Sequence, residues 1–451
     1  MSKTTLGLAL LLAAGLLTYG LVTAAHETDS SQNSQKPNEV TEEAATAKIT
    51  PQPSPEAVTP LQVLWEADSD GSGMYTDDPP VSNGLFYYSH NNTLNAASIS
   101  SGTIAWTFEN ARTPEFITDN AIYTISGNDH LVKLSADTGQ QLWITQVARQ
   151  PMEIGGHARL SGKTILFANE SGGVAAYDPE TGRQLWSNPE IPMYAGTIHG
   201  EHKGILIVSS TIDNIRSQYF GLDPVTGQQL WRTEGILSPV ATHEDNMILR
   251  ETAAEQYIPG ESPVSGHLLN LVRLDSATGQ LKEQEKLQPL EDVRMIGSSL
   301  ALIEQPYVYT VDGKPDQAES YLTRFTLGQT NDSDVKTYDD YGAWVAGPAD
   351  GMAFFQQNNI LTGVHLADDR TVTFAAPANG LTLIQKRGNA VFASYANGSF
   401  IIMDASTGDI AGKLDTGLTY TYFGDIIISG ATVLVRFENK TFALDMPKSL
   451  L

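Results

Sequence analysis

Cysteine is absent from the 451-residue chain, which excludes disulfides, thiolate zinc sites, iron–sulfur clusters, cysteine nucleophiles and any lipid anchor attached through a thiol. Basic residues are scarce. Lys and Arg number 27 against 52 Asp and Glu, for a formal charge of −25. A surface of that sign repels phosphate backbones and anionic headgroups, so no nucleic-acid partner is expected and membrane contact is left to one terminal segment. The motifs G-x-S-x-G and H-E-x-x-H do not occur, and the nine histidines are scattered. Nothing there suggests hydrolysis. The length exceeds the roughly 100–200 residues of one compact core, which points to several domains or one large repetitive architecture.

Residues 1–25 carry a single charge, Lys3, and from Leu6 to Ala25 the chain is apolar apart from Thr18, Tyr19 and Thr23. At about 1.5 Å per residue such a run spans about 30 Å, the thickness of a hydrocarbon core, so an uncleaved signal anchor is expected. Val22-Thr23-Ala24 and Thr23-Ala24-Ala25 are small-residue sequences that a signal peptidase could cut, and a cleaved signal peptide is the alternative. Lys3 on one side and the acidic stretch after His26 on the other place the rest of the protein outside the cytoplasm in either case. Residues 26–60 hold five prolines, six acids, two lysines and no aromatic residue. They read as a disordered linker. The linker contributes −4 and the first segment +1, so residues 61–451 carry −22.

From residue 61 the sequence repeats one phrase: an apolar strand ending near Asp, a short turn, Gly, and a second strand with Trp four places after the Gly. The copies are LNAASISSGTIAW to Trp106, VKLSADTGQQLW to Trp143, AAYDPETGRQLW to Trp186 and FGLDPVTGQQLW to Trp231, with VRLDSATGQLKE and IIMDASTGDIAG as weaker copies. The turn glycines at 102, 139, 182, 227 and 279 are 37, 43, 45 and 52 residues apart, a period typical of four-stranded propeller blades. Between them the pattern alternates, as in GKTILFAN and KGILIVSS, with turn residues every 8–10 positions and no helical period. Asp can bond backbone amides two residues on, Gly supplies a positive φ, and the Trp suits the space between stacked blades.

The phrase resembles the pyrroloquinoline-quinone-like (PQQ-like) propeller repeat, A-x-D-x-x-T-G-x-x-x-W. Among its families the chain resembles the outer-membrane barrel-assembly lipoprotein more than the quinoprotein dehydrogenases. The expected fold is therefore all-β: a closed β-propeller of four-stranded blades over 61–451, preceded by the terminal helix. Third strands near residues 94, 131, 174, 219, 271, 321, 361, 400 and 441 count nine, whereas the resemblance implies eight. Eight is the expectation, with the weak unit near 344–374 the one that need not be a separate blade, and nine is left open. Leu61–Glu66 reads as an outer strand without its blade and Phe442–Asp445 as a third strand without its partner. Joining them would close the ring.

Candidate chemistry is thin. Asp68-Ser-Asp70-Gly71-Ser72-Gly73 has the spacing that opens a calcium loop, but Pro79 stands where the bidentate Glu is needed. His199-Gly-Glu-His202 could offer two imidazoles to zinc without a third ligand in sequence. Gly156–Thr164 miscounts as a phosphate loop and reads better as a hairpin before Lys163. Asn-x-Ser/Thr triplets at Asn91, Asn169, Asn331, Asn397 and Asn439 mostly coincide with expected turns. Relatives that oxidise alcohols bind quinone over calcium and often carry a disulfide between adjacent cysteines, which this chain cannot form. No catalytic, cofactor-binding or metal residue is assigned and no cofactor is expected. Two long stretches, Glu251–Gly266 and Tyr307–Glu319, read as loops on a propeller face, where binding specificity tends to sit. The expectation is a non-enzymatic, membrane-tethered, extracytoplasmic module for protein interaction or envelope assembly. A degenerate quinoprotein and a calcium or small-ligand sensor are the alternatives.

Overall fold

The computed structural model describes residues 59–451 apart from short internal stretches, the longest being 71–80, 150–155, 252–268, 288–293, 296–301, 314–319 and 327–334. The terminal helix and the linker up to residue 58 lie outside the described residues. Among the described residues no helix is long and apolar enough to cross a membrane.

Nine antiparallel sheets follow one another along the chain. Blades 1 to 8 occupy residues 81–109, 116–146, 156–188, 195–235, 237–287, 294–337, 343–377 and 381–415, each a meander from its inner to its outer strand. Blade 9 takes three strands, Phe423–Ser429, Thr432–Phe437 and Lys440–Asp445, from the C-terminal end. Its fourth and outer strand is Val63–Asp68. Trp65 faces Ala443, Glu66 faces Phe442 and Ala67 faces Thr441, so the first strand of the ring completes the last blade. This is the closure that the two incomplete sequence units imply, and it leaves no sheet between the ends unfinished.

The count is nine, not the eight that the relatives suggest. The weak unit near 344–374 is a complete blade of its own: Ala343–Ala349, Met352–Gln357, Ile360–His365 and Thr371–Pro377 pair in order. Its turn lacks Gly and its outer strand lacks Trp, which is why the phrase is hard to see there. A second correction concerns Tyr307–Glu319. Tyr307–Gly313 is a strand, not a loop, and pairs on one side with Ser320–Thr326 and on the other with both Arg294–Met295 and Leu302–Glu304. Blade 6 thus has five strands, its inner position being filled by two pieces. Glu251 likewise ends the strand Asn246–Glu251, and the stretch after it lies outside the described residues.

The core is divided among the junctions. Eight separate apolar clusters each take side chains from two neighbouring blades, from blades 9 and 1 around to blades 8 and 9. At the ninth junction, Leu237–His243 of blade 5 lies beside Leu302–Glu304 of blade 6. Middle strands are sandwiched on both faces and so read as continuous apolar runs. Thr164–Asn169 and Ala390–Tyr395 are buried almost throughout. Outer strands meet water on one side, and Ile104–Glu109 and Gln184–Asn188 alternate accordingly.

Candidate functional site

The repeat phrase builds the joints of the ring. Each turn glycine is in the left-handed region, for example Gly139 at φ 68° and Gly227 at φ 71°. The Trp of the preceding blade lies directly on it. A methyl on Gly139 would come 2.5 Å from Trp106 Cε3, and one on Gly227 would come 2.3 Å from Trp186 Cε3. Each indole also donates across the junction. Trp65 Nε1 bonds Ile99 O at 2.7 Å, Trp106 bonds Ala136 O at 3.0 Å, Trp143 bonds Pro179 O at 3.1 Å, Trp186 bonds Pro224 O at 3.0 Å and Trp231 bonds Ser276 O at 2.8 Å. Five consecutive junctions, from blades 9 and 1 to blades 4 and 5, use this one device. Asn188 Nδ2 adds a second crossing bond, to Gly227 O at 2.8 Å.

Where the phrase decays, other chemistry takes the same places. In blade 7 the turn residue is Asp369 at φ 60°, and its amide bonds His365 O at 2.8 Å as the amide of Gly139 bonds Ser135 O. A side chain fits there because blade 6 presents Lys336, which ion-pairs with Asp369, in place of an indole. Arg324 Nη1 then reaches Leu366 O at 3.2 Å, the carbonyl equivalent to that which Lys133 reaches at Pro179, 2.9 Å away. Both cations stand two residues before the turn in their third strands.

The turn aspartates act as read from sequence. Asp178 Oδ1 accepts from the amides of Glu180 and Thr181 at 2.9 and 2.8 Å, Asp223 from Val225 and Thr226, Asp275 from Ala277 and Thr278, and Asp404 from Ser406 and Thr407. These bonds favour the charged form. The Thr181 amide holds Asp178 below the ordinary carboxylate range, the Thr226 amide does the same for Asp223, and the Ser406 hydroxyl does so for Asp404. Lys282, hydrogen-bonded to its carboxylate, takes Asp275 to about 2. A carboxylate depressed in the folded state stabilises it above the unfolded pKa of about 3.9, and that contribution is lost as pH falls through the folded value. The ring's melting temperature should therefore fall as pH drops from about 5 towards about 2. Replacing the four aspartates by asparagine, which can still accept the turn bonds, should flatten that fall. An acid limb unchanged in the variant would contradict this assignment.

The candidate metal and catalytic residues fall into structural roles. Asp70 caps a turn, accepting from the amides of Asn91 and Asn92 at 2.9 and 3.2 Å; residues 71–80 of that motif lie outside the described residues. His199 and His202 lie in the inner strand of blade 4, with His202 at its end, and His202 Nε2 sits 3.3 Å from the backbone carbonyl of His199. His199 Nε2 is 2.8 Å from Ser209 Oγ, within nucleophile-to-base reach. Burial, with His202 and Arg159 beside it, takes His199 down to about 4, which makes it a poor base at neutral pH. Its ring stacks on Tyr219. Gly156–Ser161 and Thr164–Asn169 form the hairpin expected before Lys163. Asn169 and Asn397 close turns through Ser171 N and Ser399 N, while Asn331 lies outside the described residues. Among the described residues no group of three or more His, Asp or Glu could hold a metal ion.

What the sequence reading misses is a row of apolar side chains on the perimeter. Ile104, Leu142, Ile144, Leu185 and Leu230 lie on the outer strands of blades 1 to 4 and are each between 41% and 51% exposed. Leu142, Leu185 and Leu230 occupy one repeat position, immediately before the docking Trp. With the Trp turned inward, its neighbour must turn outward. The L-W dipeptide in three successive units is the signal that could have found them.

Residues 57–197 match a family described as outer membrane protein assembly factor BamB. Curated relatives of the same name include one from Nitrosomonas eutropha, 27% identical over 200 residues that cover 43% of this chain and 44% of the relative. Another, from Pseudomonas aeruginosa, is 27% identical over 158 residues covering 32% and 39%. The matched region thus spans less than half the length of the curated relatives. Solved structures similar to the chain include BamB from Moraxella catarrhalis, at 12% identity and a TM-score of 0.41 over 86% of this chain and all of that one. Quinohemoprotein alcohol dehydrogenase from Comamonas testosteroni is similar at 13% identity and a TM-score of 0.42, over 86% and 78%. The chain is a propeller of PQQ-like repeats that resembles BamB.

Proposed function

We propose that this protein is a non-enzymatic, extracytoplasmic propeller that docks other proteins during assembly of the cell envelope. Residues 1–25 tether it as a signal anchor, or export it as a cleaved signal, and residues 26–60 give it reach. The observation that carries the reading is the coincidence of two features in one part of the ring. The region similar to outer membrane protein assembly factors, 57–197, is also where outer strands expose Ile104, Leu142, Ile144 and Leu185. Leu142 and Leu185 recur at one repeat position of successive blades, and that regularity supports a docking role for this side of the ring. The net charge of −25 on the chain disfavours anionic partners and suits a protein with basic residues flanking its apolar contact.

The polar groups within the ring support the non-enzymatic half of the reading. His199, in hydrogen-bond contact with the Ser209 hydroxyl, is held neutral by the loss of solvent around its ring, with His202 and Arg159 beside it. The test is reconstitution of the full chain with pyrroloquinoline quinone and calcium, followed by dye-linked assay on alcohols and sugars. No turnover and no quenching of tryptophan fluorescence on quinone titration are expected. Saturable quinone binding with dye reduction would replace this reading by that of a quinoprotein.

A further inference from the structure

Just before it enters blade 9 the chain makes a separate attachment to blade 8. Leu61 N donates to Lys413 O at 2.8 Å, and Lys413 N donates to Thr59 O at 3.0 Å. Pro60 and Lys413 are thereby paired in parallel, on the outer edge of the strand Ile410–Asp415. One residue later Gln62 O accepts from Asp445 N at 2.9 Å, in blade 9. Four consecutive residues therefore bond both blades that flank the closing junction.

The side chains make the same connection. Leu61 is 8% exposed and belongs to the cluster shared by blades 8 and 9, with Phe400, Phe442 and Met446. Its Cδ2 would be 2.4 Å from a methyl placed on Gly412. Gly412 follows the turn residue Gly408 by four positions, the spacing at which Trp106, Trp143, Trp186 and Trp231 follow theirs. At the one repeat position where the outer strand offers no side chain, another segment brings a leucine to fill the space. Gly412 has no need of its own to be glycine: it lies in a regular strand and its φ is not in the left-handed region.

We propose that Thr59–Leu61 is a clip that closes the ring a second time, anchoring the entering chain on blade 8 before the strand Val63–Asp68 completes blade 9. The clip takes the place of the side chain that Gly412 does not supply at this junction. It also separates the closure strand from whatever precedes it, because a pull on the chain at residue 58 is met first by the bonds at Lys413. A load on the chain at Thr59 is then borne at Lys413 before it reaches the first strand of blade 9.

The test is a double-mutant cycle in the full chain: Leu61→Ala, Gly412→Ala and the two together, read by thermal unfolding and by amide exchange at Lys413. Each single change should lower the melting temperature by several degrees, one by emptying the space and the other by crowding it. Together they should cost no more than the worse single change, since the new methyl at 412 enters the room that Leu61 vacates. In Leu61→Ala the Lys413 amide should exchange about tenfold faster or more. Strictly additive losses would overturn the proposal. Should a variant fail to fold, exchange in the unaltered chain decides: protection at Lys413 above that of outer-edge amides in blades 1 to 4 supports the clip, and equal exchange overturns it.

Discussion

Gly139→Ala and Gly227→Ala are each expected to destabilise the ring by about 2–5 kcal/mol, a large share of the about 5–15 kcal/mol that holds a native protein folded. Two effects add. At φ 68° and 71° a side chain meets its own backbone, costing about 1–2 kcal/mol. The methyl also lands 2.5 Å from Trp106 and 2.3 Å from Trp186, an overlap that costs typically about 1–3 kcal/mol when a packed site must shift. Gly84→Ala separates the two. Gly84 has φ 75° but nothing within 4 Å of a would-be methyl, so only the first cost of about 1–2 kcal/mol applies. Denaturant midpoints should therefore fall much further for Gly139→Ala than for Gly84→Ala, and combining Gly139→Ala with Trp106→Ala should recover part of the difference. Equal shifts for the two glycines would mean that the indole does not press on its turn and that the joint is not what holds the blades in register.

The second large effect concerns binding. Leu142, Leu185 and Leu230 are 51%, 41% and 49% exposed and none is named in the apolar clusters that join the blades. Replacing all three by Glu should leave thermal unfolding nearly unchanged, within about 1 kcal/mol in total, because surface changes away from special features cost little. On the proposed function, the same variant should bind its protein partner about 100-fold or more weakly. Apolar anchors at the centre of an interface are worth about 2 kcal/mol or more each, and about 1.4 kcal/mol is a factor of ten. Ile360→Glu in blade 7, 51% exposed but far along the ring, should bind normally. A triple variant that retains its partner would move the docking surface elsewhere.

Much of the architecture is legible because turn chemistry is local. A turn Gly with Trp four residues later announces the joints of blades 1 to 4 directly, Asp-x-x-Thr-Gly without the Trp announces blade 5, and Trp65 stranded near the start announces that its blade is completed by the other end. Blade number is harder, for a physical reason visible at Asp369. A joint needs complementary partners, not Trp and Gly as such, so Lys336 with Asp369 performs the same closure and erases the phrase. Tyr307–Gly313 is misread as a loop because Asp312, Gly313 and Pro315 carry turn composition. Its pairing is decided by the two inner pieces and by Ser320–Thr326, which no local pattern reports. The candidate surface escapes a motif search altogether. It consists of the residues that the joints leave over, and a reading that looks for acids, bases and ligands passes across leucine.

On the proposed function, the perimeter of blades 1 to 4 is where this protein meets another. The decisive measurement is photo-crosslinking from residues placed singly at Leu142, Leu185, Leu230 and Ile360 of the full chain, illuminated in intact cells. One shared protein adduct from the first three positions, absent at Ile360, is the result predicted here. Adducts from Ile360 alone, or from none of the four, would contradict it.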